Sequence, residues 1–121
     1  MNTKEYQHYH CLHSYTVICK VPPKEAFFEH IKKQQEALAP LPMTIEVGLA
    51  KLHPEDQFCY KTGREIARNN IRTRQYVMES VMYRDGAIYV ILASEQEDVQ
   101  YLMFSISQKR KTPYLDTAYA D

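Results

Sequence analysis

The sequence predicts one α+β domain over residues 1–121: an antiparallel or mixed five-stranded sheet in the order β-α-β-α-β-β-β, with two helices packed on one face. Three observations predict it. Several stretches rich in β-branched and aromatic residues alternate apolar with polar positions, which is the signature of strands. Two others repeat their apolar residues at helical spacing between proline breaks. Between two of the strands stands Arg84-Asp85-Gly86, a short hairpin signal, because a type I′ turn needs positive φ at both central residues.

Residues 6–21 read as one long first strand, in which Tyr15, Val17, Cys19 and Val21 share a face. Pro22-Pro23 ends it and presets φ for a helix over 24–39. There Phe27, Ile31, Gln34 and Leu38 form one stripe, and Ala39-Pro40-Leu41-Pro42 breaks it. Met43 to Leu52 is a second strand, with Ile45, Val47 and Leu49 on one face. His53-Pro54-Glu55-Asp56 has the proline and acidic residues of a helix entry, and a second helix is expected from Glu55 to Asn70. Its buried stripe is Phe58, Cys59, Ile66, Ala67 and Ile71. Gly63 lies near that stripe at a cost of about 1 kcal/mol in helix propensity, which a close approach of helix to sheet would offset. Strands over 74–84, 87–93 and 99–107 complete the sheet, the last turning Leu102, Phe104 and Ile106 inward. The tail from Gln108 carries no expected element.

Composition narrows the function classes. With 45% apolar and 25% charged residues the chain has the make-up of a globular domain, and its zero net charge excludes a whole-protein basic field for duplex binding. The apolar run from Ala87 to Ala93 is too short to cross a bilayer, and the first residues lack the apolar centre of a signal peptide. No membrane association and a cytoplasmic location are therefore expected. Three cysteines, Cys11, Cys19 and Cys59, in no disulfide-like spacing fit the same compartment. Ten tyrosines without a tryptophan, together with five methionines, point to an interface and a homo-oligomer.

The strongest functional pattern is basic. Lys61, Arg64, Arg68 and Arg72 step by three, four and four residues along the second helix, with Arg74 just beyond it. Like charges on one helical edge repel unless something anionic compensates. A row of this kind is either a solvated face or a receptor for anions, since guanidinium groups take phosphates bidentately. Lys109 and Arg110 are expected to close the far side of such a site, and an acidic protein surface would be served equally. Around this row the segment Pro54, Asp56, Phe58, Gly63, Arg64, Ile66 and Ala67 resembles a Pro-x-Asp-x-Phe, four residues, Gly-Arg-x-Ile-Ala pattern of small bacteriophage and prophage accessory proteins. The resemblance covers about 20 residues. It implies a role against host defence, by binding an effector protein or sequestering a nucleotide signal, in the cytoplasm of the host cell.

No phosphate-binding Gly-x-x-x-x-Gly-Lys-Ser loop, Gly-x-Gly-x-x-Gly turn or Gly-x-Ser-x-Gly elbow occurs, so neither an enzyme nor a cofactor is expected. His8 and His10 share a strand face, but zinc needs three or four converging ligands and no third is indicated. Three functions follow, in order: a binder of a phosphate-bearing ligand such as a nucleotide signal; a protein–protein inhibitor, in the manner of an anti-CRISPR, docking an acidic or nucleic-acid-binding surface of a host defence protein; and a metal-dependent single-strand nuclease using His8 and His10.

Overall fold

In the computed structural model residues 6–10, 15–51 and 60–119 are described, with 6–10 and 60–61 as backbone only. Seven strands and two helices follow in the order β1 (Tyr6–His10), β2 (Tyr15–Lys20), α1 (Lys24–Ala37), β3 (Pro42–Lys51), α2 (Tyr60–Asn69), β4 (Arg72–Arg84), β5 (Ala87–Ala93), β6 (Tyr101–Ser107) and β7 (Tyr114–Tyr119). The α+β class and the antiparallel sheet agree with expectation. The strand number does not. The expected long first strand is two strands paired antiparallel, Tyr6 opposite Lys20 and His10 opposite Thr16, and the tail adds a seventh.

Strand order in the sheet is the order in the chain, and every neighbouring pair is antiparallel. The first and last strands lie beside one another, so the sheet curls into a nearly closed barrel. Inside it sit Val17, Cys19, Ile45, Val47, Tyr76, Val90, Leu92, Leu102, Phe104 and Leu115, all buried. At about 25 cal/mol per Å² of apolar surface removed from water, this interior is the main source of stability.

The two helices occupy opposite faces of the sheet, which corrects the expectation of a single helical face. Helix α1 lies on the concave side: Phe27 is fully buried, and its ring stands 5.2 Å from that of Phe104. Helix α2 lies on the convex side over β2 and β3, where Ala67 packs with Ile18 and Ala50. The physical reason is in β2. Val17-Ile18-Cys19 is an unbroken apolar run, and a strand that is apolar on both faces must be covered on both. Small residues let α2 approach. A Cβ on Gly48 would land on the carbonyl oxygen of Ala67, and one on Gly63 would stand 2.7 Å from Thr16 Oγ1, so the close approach expected at Gly63 is present.

Local signals explain the connections. Pro23 is the N-cap of α1, and the helix ends at Leu38 in the left-handed region (φ 55°). His30 Nε2 is 2.9 Å from the Leu41 carbonyl oxygen, and the Leu41 N–H donates to Gln34 Oε1 at 3.0 Å, which pins the return into β3. Asp85 and Gly86 both have positive φ (52° and 78°) in the two-residue turn between β4 and β5, as the Asp-Gly pair predicts.

Two bulges decide what faces outward. One lies in β4 between Met78 and Ser80, the other in β7 where Asp116 is the extra residue. Before its bulge β4 turns Arg74, Tyr76 and Met78 inward; after it, Val81 opposes the buried Val90. On the convex side the register then aligns Val77 with Ala93, Tyr101 and Tyr119 across four strands. One pleat further, Ser80 aligns with Ile91, Met103 and Thr117. The last such row is Met82, Tyr89, Ser105 and Tyr114. No helix of the described residues is long and apolar enough to cross a membrane.

Candidate functional site

The expected basic row divides among three places. Arg64 and Arg68, four residues apart, share one flank of α2 and are half-buried there. The helix ends at Asn69, so Arg72 and Arg74 belong to β4 instead of extending the row. Lys109 and Arg110 follow β6, beside the turn at the far end of β4, and do not close a site with the arginines of α2. The Arg110 guanidinium lies 5.0 Å from the ring centre of Tyr114. The side chain of Lys61 and those of His8 and His10 lie outside the described residues, as do Cys11, Cys59, Pro54, Asp56 and Phe58. Of the expected inner stripe of α2, Ala67 is buried and Ile71 half-buried, whereas Ile66 is exposed.

Arg74 is the unusual member. It occupies an inward position of β4 and is 8% exposed, so its charge must be met from within. Nε donates to the Val47 carbonyl oxygen at 2.9 Å, and Nη1 donates to Glu97 Oε2 at 2.5 Å. Arg72, alternate to it on the strand and mostly exposed, reaches the same carboxylate oxygen at 3.4 Å. Glu97 comes from the turn between β5 and β6, and its side chain is only 11% exposed. That turn is held by the Tyr76 hydroxyl, which donates to the Val99 carbonyl oxygen at 2.9 Å inside the barrel.

These groups meet at the barrel mouth where β2 begins, β3 ends and β4 begins. A hollow of about 620 Å³ there is lined by Tyr15, Lys51, Asn69, Arg72, Arg74 and Asp98, among others. Burial, and secondly Asp98, raises the Tyr15 hydroxyl above its ordinary pKa, so it stays a hydrogen-bond donor at neutral pH. Lys51, Arg72 and Arg74 set against Asp98 and the adjoining Glu97 make three cations and two anions, a local charge of +1. The C-terminus of α2 also points here, and its carbonyl groups would oppose an anion. Part of that effect is cancelled, because the Asn70 and Ile71 N–H groups donate to the carbonyls of Ala67 and Arg68; Asn70 Nδ2 donates to Leu49 O and ties the helix end to β3. Tyr15, Lys51 and Asn69 carried no sequence signal, since pairing of β2 with β3 is what brings Tyr15 opposite Lys51.

Searches against protein-family models, curated proteins and solved structures match nothing to this chain. The chemistry of the mouth therefore stands on its own geometry. Among the described residues no group of three His, Cys, Asp or Glu is placed to hold a metal ion. Cys19 is buried in the barrel, where burial and then Glu46 push its thiol pKa upward, opposite to the lowering that activates a nucleophilic cysteine.

Proposed function

We propose that this chain is a non-enzymatic binding protein that takes a phosphate-bearing small molecule, such as a nucleotide signal, at the barrel mouth. One observation carries the reading: Arg74, fixed from beneath by Val47 and Glu97, and Arg72 beside it both border a polar hollow of ligand size. A guanidinium already oriented loses little freedom on meeting a phosphate. Lys51, Asn69 and the Tyr15 hydroxyl add donors around it. In this reading the protein is a phage-type accessory factor acting against host defence in the host cytoplasm, as the segment around Gly63 and Arg64 implies. A homo-oligomer belongs to the same reading.

Thermal unfolding with inorganic phosphate, linear mononucleotides and cyclic dinucleotides tests it. A raised melting temperature with at least one of them is expected, lost in the Lys51→Ala/Arg72→Ala variant and kept in Arg64→Ala/Arg68→Ala. No shift across the panel overturns the reading, and loss only in the second variant moves the site to the flank of α2.

A further inference from the structure

The convex face of β4 to β7 is covered by neither helix, since α1 lies on the concave side and α2 lies over β2 and β3. Its three four-strand rows contain no charged side chain; the bulge residues Glu79 and Asp116 lie in its outer strands β4 and β7, and Arg84 lies one pleat beyond the last row. Val77, Met82, Tyr101, Tyr114 and Tyr119 are exposed on it, and Ile91 and Met103 are half-buried at its centre. We propose that this face is the interface of a symmetric homodimer, packed sheet on sheet. The proposal rests on the oligomer part of the reading above and is independent of the ligand.

Size marks the face as an interaction surface, and charge commits it to a second copy. Four strands about 4.8 Å apart and seven residues at about 3.4 Å each give roughly 19 by 24 Å, or about 450 Å² in plan. Interrupted by Ser80, Ser105 and Thr117, it is of the size of the patches that mark interaction sites. It is also the apolar centre required by an interface of about 800 Å² per partner, the remainder being polar rim. The rim is asymmetric. Exposed Glu79 and Glu95 stand at the Val77–Tyr101 end, whereas Lys109, Arg110 and Lys111 stand at the Tyr114 end, with Arg110 over that ring. Two copies meeting face to face have their two-fold axis in the plane of contact. An axis across the strands sets the acidic end of each copy on the basic end of the other, twice over. An axis along the strands would set like on like. The charge pattern selects the first, with strands nearly aligned as in other sheet packings.

Sedimentation equilibrium of the full chain without ligand tests this. The wild type is expected to be a dimer, and Met103→Lys to weaken it on the order of 100-fold, as for a central interface residue. Phe28→Glu, which charges α1, should leave it unchanged. Arg110→Glu and Glu79→Lys should each weaken the dimer about tenfold, with affinity recovered in the double variant. These two rim substitutions sit outside the apolar rows, so they remain informative if Met103→Lys fails to fold. A monomeric wild type overturns the proposal, as does a dimer untouched by Met103→Lys, and a double variant no better than its parents overturns the assigned axis. Because no nucleotide is present, failure here is distinct from failure of the ligand reading.

Discussion

Replacing Glu97 with Ala strips the carboxylate from Arg74 while leaving the guanidinium inside the barrel wall. Arg74 and Glu97 are 8% and 11% exposed, so their pair counts as buried, and removing one partner of such a pair costs about 3–5 kcal/mol. Nε keeps its bond to the Val47 carbonyl, and the mouth admits water to Arg74, so the lower end, about 3 kcal/mol, applies. Arg72 is the internal comparison. It meets the same oxygen at 3.4 Å with 61% of its side chain exposed, and Arg72→Ala should cost less than about 1 kcal/mol. Urea unfolding measures both. With a slope of about 1.5 kcal/mol per molar, 3 kcal/mol lowers the midpoint by about 2 M. The Glu97→Ala/Arg74→Met double variant should recover part of the loss, because the charge left unpaired is then gone. Equal costs for Glu97→Ala and Arg72→Ala would refute the assignment of the buried pair as the brace of the mouth.

Two further outcomes are expected. Gly48→Ala should displace α2 and lower stability by more than 2 kcal/mol, about the cost of overpacking, since the clash is with the Ala67 backbone. Gly63→Ala meets the Thr16 side chain instead of backbone and gains helix propensity, so it should cost less; calorimetric melting of the pair decides, and equal losses would contradict the packing described. Stability should also fall in alkali. Cys19 and Tyr76 have folded pKa values raised above their ordinary 9.0 and 10.0, chiefly by burial, so both are neutral in the fold while the unfolded chain ionises. Their contribution is intact below pH 9 and is lost as pH rises beyond it, by up to about 1.4 kcal/mol per pH unit for each group. A urea midpoint that stays level to pH 11 would show that these groups ionise freely in the fold.

Much of the fold was legible in local pattern. Period-two alternation marked β3 to β6, Pro22-Pro23 placed α1, and Asp85-Gly86 placed the hairpin, because each depends on neighbours in sequence. The tail strand was not legible, since the bulge at Asp116 breaks the alternation of Leu115 with Ala118. Placement of the helices was written more faintly: Gly48 and Ala50 leave room on the outer face of β3, while Ile45, Val47 and Leu49 fill the inner one. The arginine row misled because helical spacing was extended past Asn69. In strand spacing, Arg74-x-Tyr76-x-Met78 already puts a cation among inward residues and calls for a carboxylate from elsewhere. Which carboxylate answers depends on how the turn after β5 folds back, and that is a tertiary fact.

The sequential strand order carries a kinetic consequence. Six adjacent pairings join strands that follow one another along the chain: four close short loops, and the pairings of β2 with β3 and of β3 with β4 each span a helix. The seam between β1 and β7 unites the two ends of the described strand order. By loop-closure cost that seam is expected to shut late in folding, and the β4–β5 hairpin, closed by the two-residue Asp85-Gly86 turn, to form early.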